Sequence, residues 1–265
     1  MATREILKHD LQVKTVTELA DAHCHLDLLS ASQIGEAINA SVKTLITNGV
    51  DIKSDMAAMR IADGRNVFAM LGIDPEHAVL IRPDELEVAL GLIRGSFGPG
   101  VVGIGEIGLD GKVGNMEWQK VVFRRLLDIA LELRVPVSIH SREALDEVLA
   151  ILEEKAVKKA HIHFFEGSIE QAKRVERMGY MISIPPLESA RRRKVIKEVS
   201  IDNIMVESDA PAAAKSPADV KKAVEMIAEE KRITFEQAAH AVVANTKRYF
   251  GIENAGKPKL TLMRN

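Results

Sequence analysis

The densest chemical signal in the chain is Asp21-Ala22-His23-Cys24-His25-Leu26-Asp27. In an extended segment alternate side chains share a face, so His23 and His25 point together and could put two imidazoles on one metal ion while Cys24 points away. Taken alone, the pair reads equally well as two core or surface histidines. Cys24 reads as an inert buried thiol. Downstream, Gly105-Glu106-Ile107-Gly108-Leu109-Asp110 offers a carboxylate, Val137-Ser138-Ile139-His140-Ser141-Arg142 a histidine followed by a guanidinium, and Ile162-His163-Phe164 another histidine. Glu207-Ser208-Asp209-Ala210-Pro211 brings a further carboxylate at Asp209. Singly, each histidine could be a hydrogen-bonded structural group and each carboxylate a cap for the next helix.

As a set, His23, His25, Glu106, His140, His163 and Asp209 are too many for one tetrahedral ion with an open position. They fit two divalent cations bridged by a carboxylate and a water, a hydrolytic centre in which the cations acidify that water and stabilise developing negative charge. On this reading His23, His25 and Asp209 hold one ion, His140 and His163 the other, and Glu106 is shared. Asp209 is also suited to accept the proton of the attacking water. Mixed imidazole and carboxylate ligands suit Zn, Mn, Fe, Co or Ni, and Mg less well. Arg142, two positions past a histidine ligand, suits an anionic phosphate, and its plain alternative is a surface salt bridge.

Elements must bring these distant residues together. Eight short β-rich runs recur between stretches of helical spacing: Leu19–His25, Val42–Thr47, Val67–Gly72, Val101–Glu106, Val135–His140, Ala160–His163, Tyr180–Ile184 and Ile204–Glu207. Most lack apolar/polar alternation, as expected of parallel strands covered on both faces. Between them, Val122, Leu126, Ile129 and Leu133 form one stripe on a helix that starts near Trp118 and ends before Pro136. Similar steps occur at Ile34, Ala37 and Ile38, and at Val220, Ala223, Val224 and Ile227 behind the Ser216-Pro217 cap. Thr234-Phe-Glu-Gln has capping-box spacing and opens one further helix. Eight strands alternating with helices suit an open doubly wound sheet or a closed barrel, and eight is the barrel's number. The expected fold is therefore α/β, a (β/α)8 TIM barrel with an additional C-terminal helix. It forms a single domain over 1–265, with 1–16 and 251–265 as peripheral segments. In such a barrel every strand C-terminus opens onto one face, which would gather all six candidate ligands.

Composition limits the partners. With 36 Lys+Arg against 38 Asp+Glu the 265-residue chain is nearly neutral, which removes a general cationic grip on nucleic acid and leaves only local basic surface. An apolar fraction of 46% is that of a packed protein, and a single cysteine precludes an intrachain disulfide. The N-terminus lacks the apolar core of a secretion signal and no stretch suits a membrane span, so a cytoplasmic protein with no membrane partner is expected. Arg191-Arg192-Arg193-Lys194 reads as a solvated helix face, with Ile196 and Val199 on the buried side. His161 shares the inward face with His163 one layer deeper and reads as a hydrogen-bonding neighbour of the site. Trp118 reads as a core anchor, and of Phe164 and Phe165 one should be core and the other a site wall.

In this order the motifs resemble those of the TatD-type metal-dependent hydrolases of the amidohydrolase superfamily, from Asp21 to the Asn245–Phe250 segment. The H-x-H motif is weak by itself, but G-E-I-G-L-D, I-H-S-R and E-S-D-A-P in sequence are strong together. The resemblance implies a (β/α)8 barrel with nuclease activity among its members, Glu106 bridging the metals, Asp209 as ligand and base, and Arg142 close to the substrate. Three departures bear on the substrate. The usual G-[IV]-H-P-H appears as Gly72-Ile73-Asp74-Pro75-Glu76-His77, the usual H-C-F-S-G as His163-Phe164-Phe165-Glu166-Gly167, and small residues follow Pro211. Added charge at Asp74, Glu76 and Glu166 penalises a phosphodiester unless a cation or Arg142 screens it. The reading is a hydrolase with two divalent metal ions that cleaves phosphodiesters in nucleic acid, with Arg142, Asp74 and Glu166 at the substrate. A small amide, ester or cyclic substrate is the alternative, which the three acids favour. A non-catalytic binding protein stabilised by metal is a third, opposed by the open, ligand-rich set. Nothing in the sequence speaks to the oligomeric state.

Overall fold

The computed structural model describes residues 17–253, so residues 1–16 and all but the first three of 251–265, read above as peripheral, lie outside the described residues. The elements run β1 (Leu19–Cys24), α1 (Ala31–Asn39), β2 (Val42–Asn48), α2 (Ile52–Ile61), β3 (Val67–Leu71), α3 (Pro75–Ala78), α4 (Pro83–Gly95) and β4 (Val101–Gly108). They continue with α5 (Met116–Leu133), β5 (Val137–His140), α6 (Leu145–Glu154), β6 (Ala160–Ile162), α7 (Ile169–Arg177) and β7 (Met181–Ile184). The last are α8 (Ala190–Glu198), β8 (Ile204–Val206), α9 (Val220–Lys231) and α10 (Phe235–Phe250).

Each strand pairs in parallel with the next, in the order β1 to β8. The first and last strands meet through the segments that follow them: the Asp209 N–H donates to the His23 carbonyl and the His25 N–H to the Ala210 carbonyl, both at 2.9 Å. The result is a near-closed TIM barrel with the extra helix α10. Strands β1, β6, β7 and β8 are buried along their whole length, including the polar side chains of Asp21, His23, His161 and Ser183. On the outside, α5 buries Val122, Phe123, Leu126, Leu127, Ile129 and Ala130, and Arg134 in a left-handed conformation ends the helix. Trp118 packs partly buried against this core and donates its indole N–H to the Ile81 carbonyl at 3.2 Å.

A second apolar cluster, Ala22, Ile46, Phe68, Met70, Met181 and Met205, meets Tyr249 and Phe250 of α10. Tyr249 donates its hydroxyl to the Val137 carbonyl at 2.7 Å, and Asn245 donates to the Ile201 and Ile204 carbonyls at 2.7 and 2.8 Å. These acceptors lie at strand starts or, for Ile201, in the turn just before β8, so the end of α10 covers the face opposite the candidate ligands.

Three local expectations differ. Ile38 is exposed, because α1 turns only Ala37 fully inward and leaves Ile34 half-buried. The Ser216-Pro217 cap opens a 3-10 turn, Pro217–Asp219, before α9 begins. The basic run on α8 is not uniformly solvated: Arg192 is 6% exposed, its guanidinium donating to the Leu187 carbonyl and lying 5.9 Å from the Phe164 ring centroid. An aromatic face and a carbonyl replace water around this cation.

Candidate metal centre

The barrel brings all six expected ligands to one mouth. His23 comes from β1, His25 follows it, Glu106 lies in β4, His140 ends β5, and His163 and Asp209 follow β6 and β8. Glu106 stands between two histidine pairs. Its Oε2 lies 3.3 Å from His23 Nε2 and 3.5 Å from His25 Nε2, and its Oε1 lies 2.9 Å from His140 Nδ1 and 3.0 Å from His163 Nε2. Asp209 Oδ1 is 3.5 Å from His25 Nε2 and 4.0 Å from His23 Nε2. Three overlapping groups could therefore hold an ion: His23 with His25 and Glu106, Glu106 with His140 and His163, and His23 with His163 and Asp209. Asp209 has φ +48° and Phe164 φ +46°, left-handed conformations that bulky residues rarely adopt and that cluster at functional sites. Behind Glu106, a Cβ at Gly72 would lie 2.4 Å from the Glu106 carbonyl, so only glycine lets β3 approach this closely.

The donor set fits divalent cations on its chemistry and on one orphaned atom. His23 Nε2 is buried, has no hydrogen-bond partner and faces two carboxylates. A lone pair so placed is costly unless a cation receives it. His25 donates Nδ1–H to the Asn48 carbonyl at 3.0 Å, which turns its Nε2 toward Glu106 and Asp209. His140 is held from behind by Asp110, whose Oδ2 lies 2.9 Å from Nε2 and leaves Nδ1 toward Glu106.

The mouth concentrates charge. Burial disfavours ionised Glu106, yet the His163 charge and hydrogen bonds from His140 and His163 outweigh it and hold the carboxyl well below its usual range. Burial likewise opposes protonation of His25, but Asp209 and Glu106 push its pKa up to about 9. His140 also reaches about 9, burial being overcome by Asp110 and Glu106. His163 is raised against burial by the charge and hydrogen bond of Glu106. His23 goes down, burial and the His163 charge prevailing over Glu106. Of the carboxylates that raise these rings, Glu106 and Asp209 are the ones that would attract a cation.

A cavity of about 1090 Å³ opens over the cluster, with Arg142, Asp74, Glu166 and Phe164 on its wall. Phe165 is core. Arg142 is half-exposed on that wall and also paired, 2.8 Å from Asp110 Oδ2 and 3.7 Å from Glu76. Arg142 thus makes the salt bridge that was its plain alternative while it lines the cavity. Asp74 lines the wall with its carboxylate engaged: Oδ1 accepts the His77 N–H that starts α3 and lies 2.7 Å from His77 Nδ1. Glu166 is exposed and lies 3.7 Å from Arg192 Nη2.

Two buried acids escaped the sequence reading. Asp110 links His140 to Arg142, and the alternation Glu106, Gly108, Asp110 could have revealed its shared face. Glu207 has both oxygens engaged inside the barrel, by the Phe164 N–H and the Ser183 hydroxyl, each at 2.6 Å. Its place two positions before Asp209 offered the same alternation.

Residues 20–251 match the family model described as TatD related DNase. The human deoxyribonuclease TATDN3 is 27% identical over 259 residues, covering 88% of this chain and 94% of the relative. The uncharacterized metal-dependent hydrolase YabD of Bacillus subtilis is 30% identical over 261 residues, covering 88% of this chain and 99% of its own. Among solved structures, YjjV, a TatD homologue from Escherichia coli, superposes with a TM-score of 0.82 at 24% identity, covering 89% of this chain and 99% of that one. That last likeness bears on the fold.

Proposed function

Because the chain belongs to the TatD-related DNase family of metal-dependent hydrolases, within the amidohydrolase superfamily, we propose that it cleaves phosphodiester bonds in nucleic acid with two divalent cations held by His23, His25, Glu106, His140, His163 and Asp209. The observation that carries this reading is the Glu106 carboxylate, each oxygen of which faces its own pair of imidazoles. Bound cations would supply acidification of the attacking water and neutralisation of charge on the phosphoryl oxygens. The protein supplies the rest. Asp209, held 2.9 Å from the His23 carbonyl through its own N–H, presents a carboxylate at the centre that can take the proton of the attacking water. Arg142 presents a guanidinium on the cavity wall, restrained by Asp110 and suited to a phosphate oxygen. Phe164 gives the cavity an apolar wall on which a base or ribose can rest. The human relative bears the name deoxyribonuclease, which favours DNA as the substrate.

A second reading rests on the rim. Glu76, Glu143, Asp146, Glu147 and Glu166 line the cavity against Arg142 and Arg191, an acidic surround that suits a small ester or amide better than a long polyanion. Metal analysis of the wild type beside Glu106→Gln and Asp209→Asn, with hydrolysis of single-stranded DNA and of small phosphoesters, esters and amides compared before and after chelation, tests both. The first reading requires two cations per chain, falling in Glu106→Gln, and metal-restored cleavage of DNA. Turnover confined to small substrates moves the assignment to the second, and a wild-type chain that takes up no divalent cation removes both.

A further inference from the structure

One buried polar chain runs beneath the candidate centre and ends on His23. Glu207, Ser183, His161 and Ser138 are fully buried and connect in that order to His23. Glu207 Oε2 accepts the Ser183 hydroxyl at 2.6 Å, and Glu207 Oε1 accepts the Phe164 N–H at 2.6 Å, so both oxygens act as acceptors. Ser183 Oγ lies 2.7 Å from His161 Nε2, His161 Nδ1 lies 3.3 Å from Ser138 Oγ, and Ser138 Oγ lies 3.1 Å from His23 Nδ1. Gly105 makes room for the last link, since a Cβ there would come within 2.7 Å of Ser138 Cβ.

Each hydroxyl has one hydrogen to give, so the direction set at one end propagates. Ser183 spends its hydrogen on Glu207 and can only accept from His161, which must then carry its proton on Nε2. The His161 ring is fully buried with Tyr249 and Phe250 edge-on, a setting in which a charged imidazole is costly and the neutral ring is retained. Its Nδ1 is therefore a lone pair that accepts from Ser138. Ser138 in turn accepts from His23, which places the His23 proton on Nδ1 and leaves Nε2 bare. That end of the chain is the buried nitrogen without a hydrogen-bond partner, 3.3 Å from Glu106 and 4.0 Å from Asp209.

We propose that the Glu207–Ser183–His161–Ser138 chain is a tautomer-setting relay, which holds His23 as the Nδ1–H imidazole so that its Nε2 lone pair is ready for a divalent cation. The relay rests on the metal-centre reading for its use, but its existence is a property of the protein alone. Ser138, His161, Ser183 and Glu207 are positioning residues that act through His23. Stacking of His23 on His163, with centroids 3.9 Å apart and planes 7° apart, further restrains the ring from turning.

The test uses the full chain with 15N-labelled histidine, stripped of metal, and reads ring tautomers from long-range 1H–15N correlations. The wild type should show His23 protonated on Nδ1 and His161 on Nε2. Ser138→Ala and Ser183→Ala each cut the chain and should shift His23 toward the Nε2–H form. Zn2+ affinity, measured by competition with a chromogenic chelator, should fall by about 10- to 100-fold in either variant. Because both variants cut one chain, the double variant should lose no more than the larger single loss, whereas independent packing defects would add. A wild-type His23 protonated on Nε2, a tautomer unmoved by both substitutions, or additive losses would each overturn the relay. A wild type that shows the expected tautomers yet takes up no Zn2+ would instead count against the metal reading and leave the relay standing.

Discussion

Asp110 divides one carboxylate between a histidine that faces the candidate centre and an arginine that faces the cavity, at 2.9 and 2.8 Å. Replacing it with Asn keeps the shape but weakens both contacts. Asp110→Asn should lower metal affinity by about 10- to 100-fold by loosening His140, and should raise KM for an anionic substrate as Arg142 loses its anchor; equilibrium dialysis and steady-state kinetics read the two effects separately. The imidazoles carry a pH prediction. His25 and His140 have pKa values raised to about 9 in the folded, metal-free chain, against 6.5 for the ordinary group. A raised folded pKa gives stability that is complete below about pH 6.5 and disappears as the pH climbs through about 9. Denaturant titrations of the chelated protein should show this decline, by up to about 3 kcal/mol per ring. Metal affinity should run the other way and rise over the same interval, because coordination needs bare nitrogens and expels those protons. Joint position at strand ends, and not residue type alone, made the six clustered side chains legible, since each histidine or acid taken singly has a structural role to offer. Asp74 shows where that logic stops: a cap and a substrate contact call for the same carboxylate, and only the position of His77 reveals that Asp74 is engaged.

Strands were the most legible elements, because most combine β-branched and apolar residues in a short run set between stretches of helical spacing. Every run differs from its strand by one or two residues: the first overshot, since β1 ends at Cys24 and His25 already turns toward the mouth, the fourth fell short, since β4 continues to Gly108, and the fifth and seventh began early, since β5 and β7 start at Val137 and Met181. Hydrogen bonding to neighbouring strands and not side-chain pattern decides these boundaries. Helices were legible as stripes and caps: Thr234 accepts the Gln237 N–H at 3.2 Å, and the reciprocal Gln237 bond to the Thr234 N–H is 2.9 Å. What α10 covers was not legible, because its partners are carbonyls at or just before strand starts, which have no residue signature. Asn245 makes the point testable. It is 2% exposed and satisfies two carbonyls near the start of β8, so Asn245→Ala should leave both unpaired and destabilise the protein by about 2 to 3 kcal/mol in urea titrations. Thr234→Ala, which removes only an exposed cap, should cost about 1 kcal/mol.

At the scale of the molecule, the barrel converts order in sequence into convergence in space, and the charge at its mouth follows from which loops end there. The acids on the rim oppose a polyanion while the centre beneath them suits phosphate chemistry. If DNA is the substrate, Glu147→Gln with Glu166→Gln should raise kcat/KM on oligonucleotides several-fold at low salt and leave small neutral esters unaffected, with the gain shrinking as salt screens the rim. Convergence also ties the centre to the stability of the whole. The candidate ligands come from β1, β4, β5 and the segments after β1, β6 and β8, and the contact between the first and last strands lies at His23, His25, Asp209 and Ala210 themselves. Cations held there would join segments from both sides of the seam between β1 and β8, which form no strand ladder among the described residues, and unfolding would have to release them. A cation that binds only the folded chain stabilises it by about 2.7 kcal/mol at a free concentration a hundredfold above Kd. At about 2 to 4 °C per kcal/mol for a domain of this size, loading should raise Tm by roughly 5 to 10 °C per cation and chelation should reverse it. Glu106→Gln, which removes the shared carboxylate, should abolish most of that rise while the far end of the barrel, covered by α10, keeps its own unfolding behaviour; differential scanning calorimetry with and without Zn2+ distinguishes this from a cation bound elsewhere on the surface, which would leave the rise intact in the variant.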